Sequence, residues 1–576
     1  MRYICYNNIY IGGAVMASIQ VYNSRGNRYV RIIESYREPG MKYPRIRVLK
    51  NLGREDELEA KEPGIVERLK KELEESKSLE DTIKKESLIN ELKNIISENS
   101  SNNSKGFPII NYGVKVYESL WKELRLDYFF DYRQNKDSKI EYSLKDVVSL
   151  LTYSRLLNPD SKKSTYESRN SYINSKDLEL EHLYRGLKFL GIQKDNLEKH
   201  INKQLAKTMD RNLNVAFYDV TTYYFESVDA DDLRKFGYSK DNKVNQVQVV
   251  MGLLIDDQGI PISYELFPGN TNDFKTLVPV IEKLKKTYGI KKIIITADRG
   301  LNSKQNLAYL KSEGYDYVMA YKIRSSSRAV KEMVLGDDYK EESSEFKWKL
   351  CKFENTVSYQ GEKVKLEDNM LITWSLKRAQ KDRKDRERLI EKSKKLVESP
   401  SALKAEMKKG GKKYVQLSLA IEEPLRFNEK QKEIDEKFDG YYGIQFSDKS
   451  LSPEKVLDIY NGLWKIEESF KVLKSNLEAR PIYVWTESSI KGHFVMCYLA
   501  LVLERYLEYK LRQKGIDLST EKIQEAIESA KIMVVEKESN GLKYYIKSET
   551  KDDYDKIVKA LGIKEIPSTG LIKNII

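Results

Sequence analysis

Polar and apolar residues alternate with a period of two from Ser18 to Gly53, with turn residues at Ser24-Arg-Gly-Asn27 and Glu38-Pro-Gly40. This predicts a small β module over 16–54. Residues 1–15 precede it as an upstream extension without the continuous apolar core of a signal peptide. In Arg45-Ile-Arg-Val48 the alternation predicts one positive face and one core-facing face. From Glu55 the chain becomes highly charged with a helical period and ends in Ser97-Glu-Asn-Ser-Ser-Asn-Asn-Ser104, which reads as a charged helical linker over 55–107. Helical spacing then fills 108–212. There Ser143 and Asp146 predict a capping box for a helix with Leu144, Val147, Val148 and Leu151 inward, stopping before Asn158-Pro159. Further helices are expected over Lys176–Leu190 and Asp195–Asp210.

Strand patterns follow at Val215–Phe225, Gln246–Ile255 and Pro261–Phe267, with Asp256-Asp-Gln-Gly259 as a hairpin turn. Helix is expected over Phe274–Tyr288, strand over Ile293–Ala297 and helix over Ser303–Gly314, which makes 213–325 the first part of an α/β core. Residues 326–440 carry strand patterns at Phe346–Phe353, Asn355–Gln360 and Leu366–Trp374, then a basic helix, Lys377–Arg388. That helix reads equally as a solvated charged face and as a surface for a polyanion. Asp439–Phe446 is a turn and a core strand leading to a helix over Tyr460–Lys474, within a last core segment, 441–510. A mixed C-terminal region, 511–576, ends the chain. The apolar run Phe494–Leu503 is too short to span a bilayer and reads as a buried helix, so no membrane partner is expected.

At 576 residues and 40% hydrophobic, the chain supports several globular domains. A net charge of +13 and a pI near 9.0 favour a polyanionic partner, although 88 acids offset much of the 101 bases. The 39 tyrosines suit either base stacking or sheet packing. Three cysteines and three histidines give neither a disulfide framework nor a locally spaced zinc site, which fits a reducing cytoplasm. No P-loop is present, which argues against an ATP-driven machine.

Three acids carry the chemistry. Asp219 lies inside the apolar run Asn214–Glu226, Asp298 closes Lys292–Ala297, and Glu467 lies on the Tyr460–Lys474 helix. An acid inside an apolar strand is costly unless it is used. Seven residues advance a helix about 700°, roughly 20° short of two turns. Tyr460, Glu467 and Lys474 therefore form one stripe with Lys471 beside it, suited to a phosphate backbone laid across the helix. Tyr218-Asp-Val-Thr-Thr222, Phe267-Pro-Gly-Asn-Thr271, Ala297-Asp-Arg-Gly300 and the Tyr460–Lys474 helix resemble DDE-type transposases of bacterial insertion sequences. The branch is the one with a Tyr-Arg-Glu-Lys signature. Tyr460, Glu467 and Lys474 match that signature, while position 463 is Leu instead of Arg.

The resemblance implies an α/β (α+β) multidomain chain. Its RNase H-like catalytic core is interrupted by the strand-rich insertion and preceded by the small β module and a helical module. The helical module would read DNA in the major groove or merely support the core. Asp219 and Asp298 would fall on neighbouring central strands. Together with Glu467 they would hold two Mg²⁺ ions (or Mn²⁺), Asp219 bridging them, for phosphoryl transfer on DNA. Tyr460, Lys474, Lys471 and Arg299 would bind phosphate, with Lys471 standing in for the missing arginine. Gly269 and Asn270 would form a turn shaping the site, and Trp348 and Trp374 would pack in strands. The implied partners are double-stranded DNA with terminal inverted repeats, target DNA, and a second copy of the chain in the DNA complex. The alternatives are a non-catalytic or impaired DNA-binding descendant, or another RNase H-like nuclease.

Overall fold

The computed structural model describes residues 16–24, 26–36, 45–71, 90, 107–136, 140–172, 178–211, 213–237, 245–288, 294–398, 413–416, 426–537 and 541–575. The upstream extension and most of the expected linker lie outside the described residues. The chain divides into two compact units: Met1–Pro108 with Met533–Lys547 and Pro567–Ile576, and Ile109–Ile532 with Ser548–Ile566. Among the described residues no helix is long and apolar enough to cross a membrane.

In the first unit β1 (Met16–Ser24), β2 (Asn27–Tyr36) and β3 (Arg45–Arg54) form an antiparallel sheet in that order. The expected core-facing side of β3 is absent, because Ile46 is 54% exposed and Val48 41% exposed. Two register shifts between β2 and the edge strand β3 break the regular alternation of faces. The buried apolar side chains, Val30 and Ile33, lie on the central strand instead.

The second unit is built on a nine-stranded mixed sheet. Its centre comprises β4 (Val215–Tyr224), β5 (Gln248–Asp256), β6 (Pro261–Pro268), β7 (Ile294–Ala297) and β8 (Asp316–Tyr321), in the order β6-β5-β4-β7-β8. β6, β5 and β4 pair antiparallel, while β4, β7 and β8 pair parallel. This is the order and sense of an RNase H-like core. The predicted turn closes β5 onto β6: Asp256 Oδ1 accepts the N–H groups of Gln258 and Ile260, and Gly259 takes φ +85°.

The strands read between the second and third acids do not form a sheet of their own. β9 (Lys340–Ser343), β10 (Phe346–Tyr359), β11 (Glu362–Ser375) and β12 (Tyr441–Phe446) continue the core sheet in the order β8-β12-β11-β10-β9. The indole of Trp374 donates to the Asp439 carbonyl at 3.1 Å, and Trp348 packs against the sheet's apolar face, as expected.

The helices that matter to the site are α1 (Leu144–Leu157), α2 (Leu180–Thr208), α3 (Leu277–Tyr288), α4 (Lys304–Ser312), α5 (Leu376–Glu398), α6 (Pro453–Asn461), α7 (Trp464–Lys471) and α8 (Glu487–Arg512). α1 has the expected limits and inward face, but Ser143 makes no side-chain cap; the Gln134 side chain accepts the Leu144 N–H at 2.9 Å. The two helices expected over Lys176–Leu190 and Asp195–Asp210 are one, α2. Gly191 does not break it, because its missing side chain serves packing. A Cβ at Gly191 would lie 2.7 Å from the Ser488 carbonyl oxygen, and one at Gly492 would lie 1.8 Å from that of Leu187, so α2 and α8 cross at these glycines.

Strand alternation sorts β4 into two faces. Ala216, Tyr218 and Val220 join a core with Leu277, Val280 and Ile281 of α3 and Leu307 and Leu310 of α4. Phe217, Asp219, Thr221 and Tyr223 face the other way. On that side the Tyr223 and Phe494 rings lie 5.1 Å apart, which packs α8 there. A Cβ on Gly462 would come within 2.4 Å of Phe217 Cζ. Gly462 has φ −60°, which suits alanine, so Gly462→Ala tests packing alone. Overpacking predicts a loss of about 1–3 kcal/mol in denaturant unfolding; unchanged stability would show that the contact gives way freely.

Glu504 of α8 is fully buried and accepts the Tyr117 hydroxyl at 2.8 Å. Burial, aided by Glu508, pushes its carboxyl up to about 8. In the unfolded chain this acid ionises near its ordinary 4.5, so folding retains a proton that unfolding releases, and stability falls as pH rises between those values. Glu504→Gln keeps an acceptor and removes the titration. Its melting temperature relative to the natural chain should therefore climb from about pH 5 to about pH 8.5; an offset independent of pH would contradict the assignment.

Candidate active site

Asp219 occupies the open face of β4, and Asp298 follows the last residue of β7. The parallel register pairs Tyr218 with Ala297, so the two acids take the next positions on adjoining strands. One oxygen of each is oriented by its own backbone: Asp219 Oδ1 accepts the Val220 N–H at 2.7 Å, and Asp298 Oδ1 accepts the Arg299 N–H at 2.6 Å.

The segment carrying Glu467 departs from the expected regular helix. α6 ends at Asn461 and α7 begins at Trp464. Between them the winding tightens to three-residue bonds: Leu463 N–H to Tyr460 O, Lys465 N–H to Gly462 O and Ile466 N–H to Leu463 O, each 3.1 Å. After Lys471 it widens into a π turn over Val472–Asn476. Gly462 pressed against Phe217 marks the tight stretch. These changes of pitch mean that Tyr460, Glu467 and Lys474 do not share one straight stripe.

Tyr460 and Glu467 nevertheless meet Asp219 and Asp298 in the wall of one cavity of about 200 Å³, with Leu463 and Trp464 beside them. Lys474 does not line it. Its Nζ lies 5.7 Å from the Tyr223 ring centroid, on the same face of β4 as Asp219. Four residues separate Tyr223 from Asp219, about 13 Å along the strand. Lys471 is exposed and outside the cavity wall. Arg299 is exposed and lines a neighbouring basic cleft with Arg324, Arg378 and Lys413. The turn after β6 is held as expected, with the Gln248 side chain donating to the Gly269 carbonyl at 2.8 Å.

The Tyr460 and Tyr442 hydroxyls are hydrogen-bonded to one another. Burial pushes both phenols above their usual range, so they remain neutral. Nothing in the strand motif Tyr441–Phe446 signals that Tyr442 meets Tyr460; the sheet order creates the pair. Leu463, at the position of the signature arginine, faces the acids with an apolar side chain.

Asp219, Asp298 and Glu467 offer only oxygen donors, the kind that suits Mg²⁺, which keeps several waters and takes few carboxylates. The donor set fits such an ion in kind. Among the described residues, however, no three acids, histidines or cysteines are gathered into a metal-holding group. Asp298 and Glu467 are exposed at the rim, and Asp219 is half-buried.

Residues 213–503 match the family model described as the transposase DDE domain, and residues 18–86 match the N-terminal domain of IS1634 family transposases. Among solved structures the chain is similar to the piggyBac transposase synaptic complex with hairpin DNA: 10% identity, 73% of this chain and 80% of that one covered, TM-score 0.33. It is also similar to the Mos1 transposase paired-end complex with the left transposon end, at 13% identity over 31% of this chain and 58% of that one, TM-score 0.14. The Mos1 mariner paired-end complex with Mn gives 14% identity, 31% and 59% coverage and a TM-score of 0.13. None of the curated proteins matches the chain. The first family model spans just over half of the sequence and contains all three acids. This chain belongs to the DDE transposases of insertion sequences.

Proposed function

We propose that this DNA transposase cuts the ends of its insertion sequence and joins them to target DNA at the cavity lined by Asp219, Asp298 and Glu467. The observation that carries the reading is the meeting of acids from two adjoining strands and the overlying helix in one wall. Asp219 and Asp298 stand on the rigid sheet, so they set the position of the scissile phosphate. Glu467 stands at the exposed rim of the cavity, where it closes the third side. Two Mg²⁺ ions, or Mn²⁺, held by these carboxylates would activate the attacking oxygen and stabilise the leaving one. Tyr460, kept neutral, orients through its hydroxyl. Lys474 and Lys471 meet backbone phosphates farther along the helix. The DNA partner is a duplex ending in terminal inverted repeats, engaged by two copies of the chain.

Leu463 favours one second reading, an impaired descendant that binds ends but processes them slowly, because an apolar side chain replaces a guanidinium beside the acids. Purified protein, Mg²⁺ and a duplex bearing the inverted repeats that flank its coding region separate the two. Transposition predicts cuts at the repeat ends, reduced at least about 100-fold by Asp219→Ala, with DNA binding retained. Absent end cleavage, or cleavage indifferent to Asp219→Ala, would sink the proposal.

Metal binding has its own readout. At Mg²⁺ or Mn²⁺ about 100-fold above its dissociation constant the natural chain should gain about 2.7 kcal/mol of stability. Asp219→Asn and Asp298→Asn should each lose most of that gain in thermal melts, and equal gains in all three proteins would contradict these ligands.

A further inference from the structure

A strongly basic cleft lies beside the acids. It has a volume of about 500 Å³, and its wall carries five bases against two acids, Asp382 and Asp435. Arg299 comes from the end of β7, Arg324 from the turn after β8, Arg378 from the first turn of α5, and Lys413 from a separate segment. A cluster drawn from four places in the chain is not the solvated stripe of a single helix. Such a gathering of like charge is unfavourable unless an anion sits in it.

The internal ion pairs compensate this charge unevenly. Asp382 is shared between Arg324 at 3.3 Å and Arg378 at 4.0 Å, Arg324 also pairs with Asp439 at 3.1 Å, and Lys413 pairs with Asp435 at 2.5 Å. Among the described residues the Arg299 side chain has no ion pair or hydrogen bond. The Arg378 guanidinium carbon lies 4.0 Å from the Tyr442 ring centroid, and its buried Nε, 4.0 Å from Asp382, makes no hydrogen bond. A guanidinium held over a ring, with donors unspent, suits a phosphate, which accepts several charge-assisted hydrogen bonds.

The cleft adjoins the acid cavity. Asp298 lines one and Arg299, the next residue, lines the other. Tyr442 lines the basic side and shares its hydroxyl hydrogen bond with Tyr460 on the acidic side. Leu463 brings no charge to the acids, whereas Arg299, next to Asp298 in the chain, lies on this flank.

We infer that Arg299, Arg324, Arg378 and Lys413 seat a backbone phosphate of the DNA a short way along from the phosphate held at Asp219, Asp298 and Glu467. The inference rests on the transposition reading for the choice of DNA, and on the cleft alone for its charge.

The test uses the full-length protein and two duplexes of equal length, one ending in the flanking inverted repeat and one of unrelated sequence. Affinity is measured from about 50 to about 200 mM salt. Arg299→Gln removes an exposed, unpaired side chain and should lower the slope of log affinity against log salt by about 0.9. Arg299→Gln with Lys413→Gln should lower it by about 1.8, whereas Asp219→Ala should leave it unchanged. Arg378→Lys, which keeps charge but loses the fork, should bind more weakly than the natural chain and more tightly than Arg378→Gln, at unchanged melting temperature. Slopes unaltered in both glutamine variants would overturn the phosphate seat. If they are unaltered while end cleavage still depends on Asp219, the cleft alone is misassigned. If no end is cut but the slopes fall on the unrelated duplex, the seat stands and the transposition reading fails.

Discussion

The close approach of Gly462 to the Phe217 ring decides where the third acid stands. Phe217 and Asp219 are two residues apart on one face of β4, so a helix that touches the first necessarily passes over the second. Lys465, three residues on, is anchored to the turn after β5, where its ammonium donates to the Asp257 carbonyl. With the helix held at these points, Glu467 has little choice but to face the strands. The change in winding at Gly462 and the π turn after Lys471 follow from fitting this segment between the sheet and the helix Glu487–Arg512.

Parallel pairing of β4 with β7 does the same for the other two acids. Asp219 and Asp298 each sit where their strand puts them, with one oxygen turned by the next backbone N–H. A site built on sheet register is rigid at its base and adjustable only at the helix. The tyrosine pair then separates two electrostatic regions: carboxylates on the Tyr460 side and guanidiniums on the Tyr442 side. A nucleic acid lying across both would meet carboxylate oxygens and guanidinium cations in sequence.

Much of the core was legible from period and turn chemistry. The strands at Val215, Gln248 and Pro261, the turn at Asp256–Gly259 and the helix limits at Leu144 and Leu157 follow local rules that tertiary context did not override. The misreadings share a cause. The helices expected over Lys176–Leu190 and Asp195–Asp210 are one, with a helix crossing at Gly191; Ser143 looked like a cap and is displaced by Gln134; the Tyr460–Lys474 stripe looked straight and is bent by a packed glycine. In each case a residue outside the local pattern supplies the deciding contact. The basic helix was ambiguous for a similar reason. Arg383 and Glu387 form the solvated pair expected of a charged face, while Arg386 is buried against Asp439 and Arg378 stacks on Tyr442.

The sequence by itself determined the chemistry available: three acids in strand and helix contexts, a family signature with leucine at one position, and the strand and helix periods around them. Those are properties of neighbours along the chain. Only the tertiary structure decided that the strands between Asp298 and Glu467 extend the core sheet, that Tyr442 meets Tyr460, and that four bases from separate segments share one cleft. Sheet order and helix crossing depend on long-range hydrogen bonds and close packing, and residue periodicity carries no record of which distant strand or ring will be the partner.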